Sequence, residues 1–408
     1  MLEFYPHQIK ILNDTYEYDN VAYYVDMGLG KTFLASEKLW QLNQPYNLVI
    51  CQKSKIEDWA HHFKAYYPEY HVVIYDNQSI SKLSDNTILI INYERAWRRP
   101  VLNKLKDYTL ILDESSMIKN DRSNQSQFIL SLKPNHVILL SGTPIAGKYE
   151  EIWSQMRLLG WGIKKTTFLK QFTDGKFNKK FMRYEIKGYK NIDRLKSKLK
   201  NYGAIFLKTE EVFDLPQVTD QVISVENTKE YRGFKKSEII EIDGNLLVGD
   251  LVTKKLLYLR QLAGVYNTNK VSALKDILNS TQDRLIIFYN FKIEFELLKQ
   301  VSDRPLSIIN GDTKDLSNYD TYNNSMTLVQ YQAGAMGVNL QKANKIIYFT
   351  PTVRSDLFEQ SKKRIHRIGQ DRPCFYYHLI TKGTIERDIQ QSLEQKKDFT
   401  DSLFKKNR

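Results

Sequence analysis

Short apolar runs recur along this chain with amphipathic stretches between them, and that alternation leaves few folds open. In the first 160 residues the runs are Ala22–Val25, Asn47–Cys51, Val72–Tyr75, Thr87–Asn92, Thr109–Leu112 and His136–Leu140. They are rich in Val, Ile, Leu and Tyr and end at turn or polar residues. Continuous apolar runs separated by helical patterns predict a parallel sheet covered on both faces. The pattern returns in Leu285–Asn290, Leu306–Asn310, Thr327–Gln330, Lys345–Phe349 and Phe375–Ile380. The expectation is an α/β chain of two lobes: residues 1–160, and residues 271–408. The stretch between them, 161–270, lacks regular strand alternation and reads as mainly helical, as in Asn191–Lys200 and Leu246–Leu262.

Asp26-Met27-Gly28-Leu29-Gly30-Lys31-Thr32 follows a strand-like run and precedes a helical one, Phe33–Leu42. A phosphate-binding loop needs that context. Gly28 and Gly30 let backbone N–H groups turn toward phosphate oxygens with no Cβ in the way, and the helix N-terminus adds its positive end. Lys31 is the candidate for the β/γ-phosphates and Thr32 for Mg2+. The strict motif wants glycine at position 25, where this chain has Val25; a Gly-rich turn capping a core helix would look similar. Asp113 and Glu114 close the run Thr109–Leu112. Two adjacent acids at the end of a buried strand are costly without a task, and in an open α/β sheet that edge is where ligands bind. Asp113 is assigned to Mg2+ and Glu114 to polarising the attacking water. Ser141-Gly142-Thr143-Pro144 ends the next strand, where small hydroxyl side chains could sense the phosphate site.

In the second lobe, Glu359–Gln370 has helical character until Gly369, so Arg364 and Arg367, spaced i, i+3, would share a helix face. A solvated basic face is the ordinary explanation. If the lobe faces the phosphate loop, an arginine there can stabilise transition-state charge.

The chain has 408 residues and a net charge of +13, an excess that suggests a polyanionic partner. Residues 161–200 hold 13 Lys/Arg against three acids, Asp174, Glu185 and Asp193, the footprint of phosphate-backbone contact. No stretch approaches the ~20 apolar residues of a membrane span, and no signal pattern opens the chain. The two cysteines, Cys51 and Cys374, are isolated, which suits burial in a reducing cytoplasm.

In order, these motifs resemble the Swi/Snf-like, chromatin-remodeller-type ATPases of helicase superfamily two. The resemblance runs from Pro6 to about Asp388. Pro6-His7-Gln8 is similar to the adenine-recognition motif, which makes Gln8 a nucleotide contact. Asp26–Thr32 resembles motif I, Cys51–Ser54 with Trp59 motif Ia, Asp113–Ser116 motif II, and Ser141–Pro144 motif III. Leu285–Asn290 resembles motif IV and Asn310–Thr313 the segment after it. Ala333–Leu340 resembles motif V, which places Gly337 and Asn339 at the nucleotide, and Gln360–Gln370, ending Arg-Ile-His-Arg-Ile-Gly-Gln, resembles motif VI. The resemblance implies two RecA-like lobes with ATP and Mg2+ between them, and translocation along duplex DNA. Two departures stand out. Ser115-Ser116 replaces the usual Ala-His or Gly-His, which bears on coupling between lobes. Gln330-Tyr331-Gln332 replaces Ser-Thr-Arg.

The resemblance makes Lys53, Ser54 and Tyr93 candidate DNA contacts of the first lobe, and Gly311, Thr313 and Gln332 of the second. Such bonds go to phosphate and sugar and carry little base specificity. Residues 161–270 would supply protrusions and an inter-lobe brace, including Leu256–Tyr266. The chain is therefore expected to be a monomeric, cytoplasmic double-stranded DNA translocase of a bacterial or phage-like kind, without a membrane role. Unwinding or annealing of branched or single-stranded DNA, and service as motor subunit for a protein partner such as a nuclease, are the alternatives.

Overall fold

In a computed structural model of the protein, residues 3–75, 83–178, 183–242, 244–334 and 338–404 are described. The chain divides into two compact units, Met1–Phe213 with Asp398–Arg408, and Asp214–Lys397.

The first unit holds β1 (Asn20–Val25), β2 (Tyr46–Cys51), β3 (His71–Ile74), β4 (Thr87–Asn92), β5 (Tyr108–Asp113), β6 (His136–Leu140), the hairpin strands β7 (Thr173–Asn178) and β8 (Arg183–Tyr189), and β9 (Ala204–Leu207). Seven of these form one sheet in the order β3-β4-β2-β5-β6-β1-β9, and every pairing in it is parallel. The five inner strands are buried along nearly their whole length, so their sequences are unbroken apolar runs. Tyr24, Leu48, Ile50, Leu110 and Leu112 share one core. The intervening Tyr23, Val49 and Ile111 are equally buried, on the opposite face that the two-residue period of a strand dictates. Three helices of this unit carry residues of the candidate site: α1 (Pro6–Asp14), α2 (Lys31–Leu42) and α3 (Ile56–Tyr66).

The second unit holds β10 (Val218–Val225), the hairpin β11 (Ile239–Ile242) and β12 (Asn245–Val248), then β13 (Leu285–Tyr289), β14 (Leu306–Ile309), β15 (Lys314–Asp315), β16 (Met326–Gln330), β17 (Lys345–Tyr348) and β18 (Cys374–Thr381). Its sheet runs β10-β18-β17-β13-β16-β14-β15 and is parallel except for β14 with β15. Residues of β13 alternate between two cores: Ile286 and Phe288 enter one, Leu285, Ile287 and Tyr289 the other.

Both units are therefore parallel-sheet α/β lobes flanked by helices, and all eleven apolar runs lie on strands. Residues 161–270 differ from the helical reading. They contain β7 to β12, with β9 pairing with β1 in the first sheet and β10 with β18 in the second, and the chain passes from one unit to the other at Phe213 and Asp214. β9, Ala-Ile-Phe-Leu, is a short apolar run that the helical reading passes over; the others lie at a polar edge or in hairpins. β10 reads Val-Thr-Asp-Gln-Val-Ile-Ser-Val and is exposed over much of its length, so no apolar run marks it. Leu246 lies on β12, and the helix there spans only Val252–Ala263. Cys51 and Cys374 are buried and unbridged. No described helix is long and apolar enough to cross a membrane.

Candidate active site

Sheet order brings the first unit's motifs together. β6 lies between β5 and β1, with Leu140 in register with both Asp113 and Tyr23. The three parallel strands end on one edge, so the glycine loop after β1, the Ser141 turn after β6 and the acids after β5 become neighbours. Strand order places β1 and β2 on opposite sides of β5 and β6, the reversal that opens a ligand crevice at the carboxyl ends of such a sheet.

The loop after β1 turns through Gly28 and Gly30, whose φ angles are +92° and +78°. That left-handed region favours glycine. Gly30 caps α2, which starts at Lys31, and its space is already taken: a Cβ there would collide with Nε2 of Gln8. Gln8 is buried on α1. Its Nε2 donates to the Leu29 carbonyl at 3.3 Å, and its Oε1 accepts from the Tyr5 N–H at 2.9 Å. His7 Nε2 lies 3.2 Å from the same Leu29 carbonyl. The His7 ring stacks on Tyr5 at 5.8 Å, and Phe213 meets both edge-on. Lys31 Nζ donates to the carbonyls of Val25 at 2.9 Å and Asp26 at 3.2 Å. Thr32 is half-buried on the first turn of α2.

At the end of β5, Asp113 Oδ2 accepts from the Trp59 indole N–H at 2.9 Å. Glu114 has a φ of +60°, and its Oε1 accepts from Ser141 Oγ at 2.7 Å and Ser116 Oγ at 3.0 Å. Burial raises the Glu114 pKa above the usual carboxylate value, with the Ser141 hydroxyl and Lys31 opposing it. The departure at Ser115-Ser116 thus has a definite geometry. Ser116 donates to the Glu114 carboxylate. Ser115 Oγ donates to Gln155 Oε1 at 2.7 Å, as Tyr24 Oη does at 2.9 Å, while Gln155 Nε2 donates to the Pro144 carbonyl at 2.8 Å. Gln155 therefore ties β1, the carboxylate turn and the Ser141 turn through one buried amide.

This donor set suits a nucleotide polyphosphate with Mg2+. A 12-residue helix opens at a glycine-capped N-terminus beside a lysine and two carboxylates. The hydroxyl of Thr143 has no hydrogen-bond partner among the described residues. No cluster of three His, Cys, Asp or Glu side chains among the described residues could hold a metal alone. A Mg2+ held by one or two protein oxygens and substrate phosphates does not require one.

In the second unit, the motif VI segment departs from its expected helix. The helix Ser355–Lys362 ends at Lys362, and the chain curls so that Arg364 and Ile365 are buried. Gln370 pins the curl, its Nε2 donating to the carbonyls of Gln341 at 3.1 Å, Ala343 at 2.9 Å and Ile365 at 3.2 Å. Arg364 and Arg367 therefore share no helix face. They still meet at motif V: Arg364 Nη1 donates to the Val338 carbonyl at 3.4 Å, and Arg367 to Asn339 Oδ1. Burial lowers the Arg367 pKa. Gly337 lies outside the described residues.

Of the candidate DNA contacts, Lys53 and Ser54 are exposed on the turn after β2, Gly311 and Thr313 on the turn held by Asn310, and Gln332 on the helix Tyr331–Gly334. Tyr93 must be corrected. Its ring is wholly buried, and its hydroxyl donates to the carbonyls of Asp113 at 3.0 Å and Glu114 at 3.4 Å, so the side chain has no surface to offer DNA. The roles of Tyr93 and Gln155 at the carboxylates carry no local sequence signal, and Trp59 enters only through the motif Ia resemblance, which gives it no role at Asp113. Trp59 shares the buried face of α3 with Ala60, His62 and Phe63, and looks there like ordinary core.

The SNF2-related domain matches residues 23–279, and the helicase conserved C-terminal domain residues 269–369. Among curated proteins, the chain is 25% identical over 401 residues to a SWI/SNF-related matrix-associated actin-dependent regulator of chromatin subfamily A-like protein 1 homolog of Caenorhabditis elegans, covering 91% of this chain and 58% of that one. It is 24% identical over 419 residues to an uncharacterized ATP-dependent helicase, MG018, of Mycoplasma genitalium, covering 92% of this chain and 39% of that one. The chain thus spans roughly half the length of these relatives. Among solved structures, the Sulfolobus solfataricus SWI2/SNF2 ATPase core in complex with dsDNA aligns over 98% of this chain and 92% of that one, at 21% identity and a TM-score of 0.46. With the SNF2-related match covering more than half of its length and the helicase C-terminal match following it, the chain belongs to the SNF2-related family.

Proposed function

We propose that this chain is an ATP-dependent translocase on double-stranded DNA, coupling ATP hydrolysis to movement along the duplex and so displacing or remodelling bound proteins. The observation that carries the reading is the convergence of Lys31, Ser141 and Glu114 at the ends of three adjacent strands, in a chain of this family. Gly28, Gly30 and Lys31 would cradle the β- and γ-phosphates, with the N-terminus of α2 aimed at their charge. Gln8, already bonded to the loop and flanked by His7 and Tyr5, would meet the adenine side. Thr32 and Asp113 would hold Mg2+, which neutralises phosphate charge and aligns the oxygens. Trp59 keeps the Asp113 carboxylate oriented. Glu114, fixed by two serine hydroxyls, would in its ionised form orient the attacking water and draw off its developing positive charge. Arg364 and Arg367, with Asn339 beside the latter and Gly337 in the same motif, would serve phosphoryl charge in the transition state.

The DNA role draws on charge and exposure. Lys53, Ser54, Gly311, Thr313 and Gln332 offer backbone contacts, and the 161–200 segment adds exposed Lys164, Lys170, Lys176, Lys187 and Lys200. Residues 161–270 would also supply the protrusions and brace of such a motor. The relative from Mycoplasma genitalium, an ATP-dependent helicase by its name, supports ATP use. The test is steady-state ATPase without nucleic acid and with duplex DNA, single-stranded DNA and RNA, with Lys31→Ala as the inactive control. Strong stimulation by duplex is expected. Preferential stimulation by single strands or forks would replace translocation with unwinding, and no hydrolysis in any condition would sink the motor reading.

A further inference from the structure

The geometry points to Tyr93 as a positioning residue that couples nucleic acid on the 95–99 turn to the Asp113–Glu114 peptide. The inference rests on the translocase reading and deepens it. In the sheet, β2 separates β4 from β5, and Cys51 at the end of β2 is in register with Asn92. Tyr93 follows Asn92, so its hydroxyl spans the end of β2 to reach the end of β5. There it donates to two successive carbonyls, those of Asp113 and Glu114. The ring is wholly buried in the core that also holds Ile91, Ala96, Leu112 and Ile118.

The peptide that Tyr93 grips needs holding. Glu114 adopts a left-handed backbone, a conformation unfavourable for a non-glycine residue. Its carbonyl is fixed from the other side by the Met117 N–H at 2.9 Å. The direction of the Glu114 carboxylate depends on that backbone, and Tyr93 is bonded to it from outside the carboxylate turn.

Two residues beyond Tyr93 the chain becomes a cationic surface turn. Arg95, Arg98 and Arg99 fall within five residues, with the Arg98 guanidinium 5.0 Å from the centre of the Trp97 ring. Arg98, Lys104 and Lys106 are exposed. The nearby acid Glu94 accepts from Asn92 Nδ2 at 2.6 Å. Arginines interleaved with an indole suit a phosphate backbone and an adjoining base or sugar face. The short helix Tyr93–Ala96 joins that turn to the buried phenol. A shift of the turn on phosphate binding is therefore delivered through Tyr93 to the carbonyls of Asp113 and Glu114.

The test compares the parent protein with Tyr93→Phe and with the double variant Arg98→Ala/Arg99→Ala. Thermal melting confirms the fold of each. Measured are kcat and KM for ATP with and without a duplex oligonucleotide, and duplex affinity by fluorescence anisotropy. Tyr93→Phe keeps the ring and loses only the hydroxyl. It is expected to cut duplex-stimulated kcat about tenfold, with KM for ATP and duplex Kd within about twofold of the parent. The arginine pair is expected to weaken duplex binding and raise the duplex concentration for half-maximal stimulation. Parent-like stimulation in Tyr93→Phe overturns the coupling alone, as does a loss of duplex affinity equal to the loss of kcat. Unchanged duplex affinity in the arginine variant overturns the turn as sensor. A parent that hydrolyses ATP with no response to duplex removes the translocase reading and the coupling together.

Discussion

Ser141→Ala isolates one hydrogen bond at the Glu114 carboxylate. In the native site Ser141 Oγ donates to Glu114 Oε1 at 2.7 Å, and Ser116 Oγ donates to the same oxygen at a longer 3.0 Å. Burial raises the Glu114 pKa, and the Ser141 bond is the foremost influence holding it down. A hydrogen bond to a charged group contributes about 1.5–3 kcal/mol, and one pKa unit corresponds to about 1.4 kcal/mol. Glu114 is only partly covered, and water replaces some of the lost bond, so the lower end applies, about a tenfold change in the ratio of ionised to protonated carboxylate at a given pH. The sign follows from the role. In the proposed role the ionised carboxylate is the active form, so kcat would fall as pH drops through the Glu114 pKa. Removing a bond that favours the ionised form moves that fall to higher pH. The assay is kcat at saturating ATP and duplex DNA across roughly pH 5 to 9. Ser116→Ala, at the longer distance, is expected to give a smaller shift in the same direction. An acid limb of Ser141→Ala that superimposes on that of the parent would refute both the assignment of Glu114 and the reasoning from its hydroxyl partners.

Gly30→Ala forces a Cβ into the space of the Gln8 amide and strains a left-handed backbone. A cost of about 2–4 kcal/mol is expected from the strain and the lost amide bonds, seen as weaker binding of a fluorescent ATP analogue and a lower urea midpoint; parent-like values for both would show that the loop relaxes freely. In the second unit, Lys270 Nζ meets both carboxylate oxygens of Glu386 at 2.6 Å, with both side chains buried. Lys270→Met strands the carboxylate and is expected to cost about 3–5 kcal/mol in urea unfolding, most of it restored by adding Glu386→Gln, which keeps an acceptor for the Thr381 N–H; equal stability of single and double variants would contradict this. Lys170→Gln, Lys176→Gln, Lys187→Gln and Lys200→Gln combined are expected to weaken duplex binding and flatten its salt dependence by up to about 0.9 in log–log slope for each phosphate that is no longer neutralised. An unchanged salt titration would take these lysines off the DNA path.

How much can be read from residues alone depends on how local each signal is. The glycine loop and Asp113-Glu114 are legible because each consists of a strand end and the turn after it, within a dozen residues. The inner strands are legible because burial on both faces demands continuous apolar sequence. The edge strand β10 is not, since its sequence is mixed and much of it is exposed; β9, Ala-Ile-Phe-Leu, is apolar but only four residues long and follows closely on a helix, and the polar hairpin β7–β8 conceals its own period. For Arg364 and Arg367 the i, i+3 spacing points to a helix face that the structure does not form. Their helix yields to a curl that buries Ile365 and is pinned by Gln370 on carbonyls 29, 27 and five residues away in sequence.

Sequence by itself determined the fold class of the two lobes and the family, and it marked the glycine loop and the acid pair as the candidate site, because each depends on short-range pattern and residue type. Only the tertiary structure decided which side chains hold those groups. Strand order sets Ser141 beside Glu114, brings Trp59 to Asp113 and sends Tyr93 across β2 to the peptide behind both acids. Such partners are 27, 54 and 20 residues apart, and the hydrogen bonds that join them exist only once parallel strands have lined up their carboxyl ends.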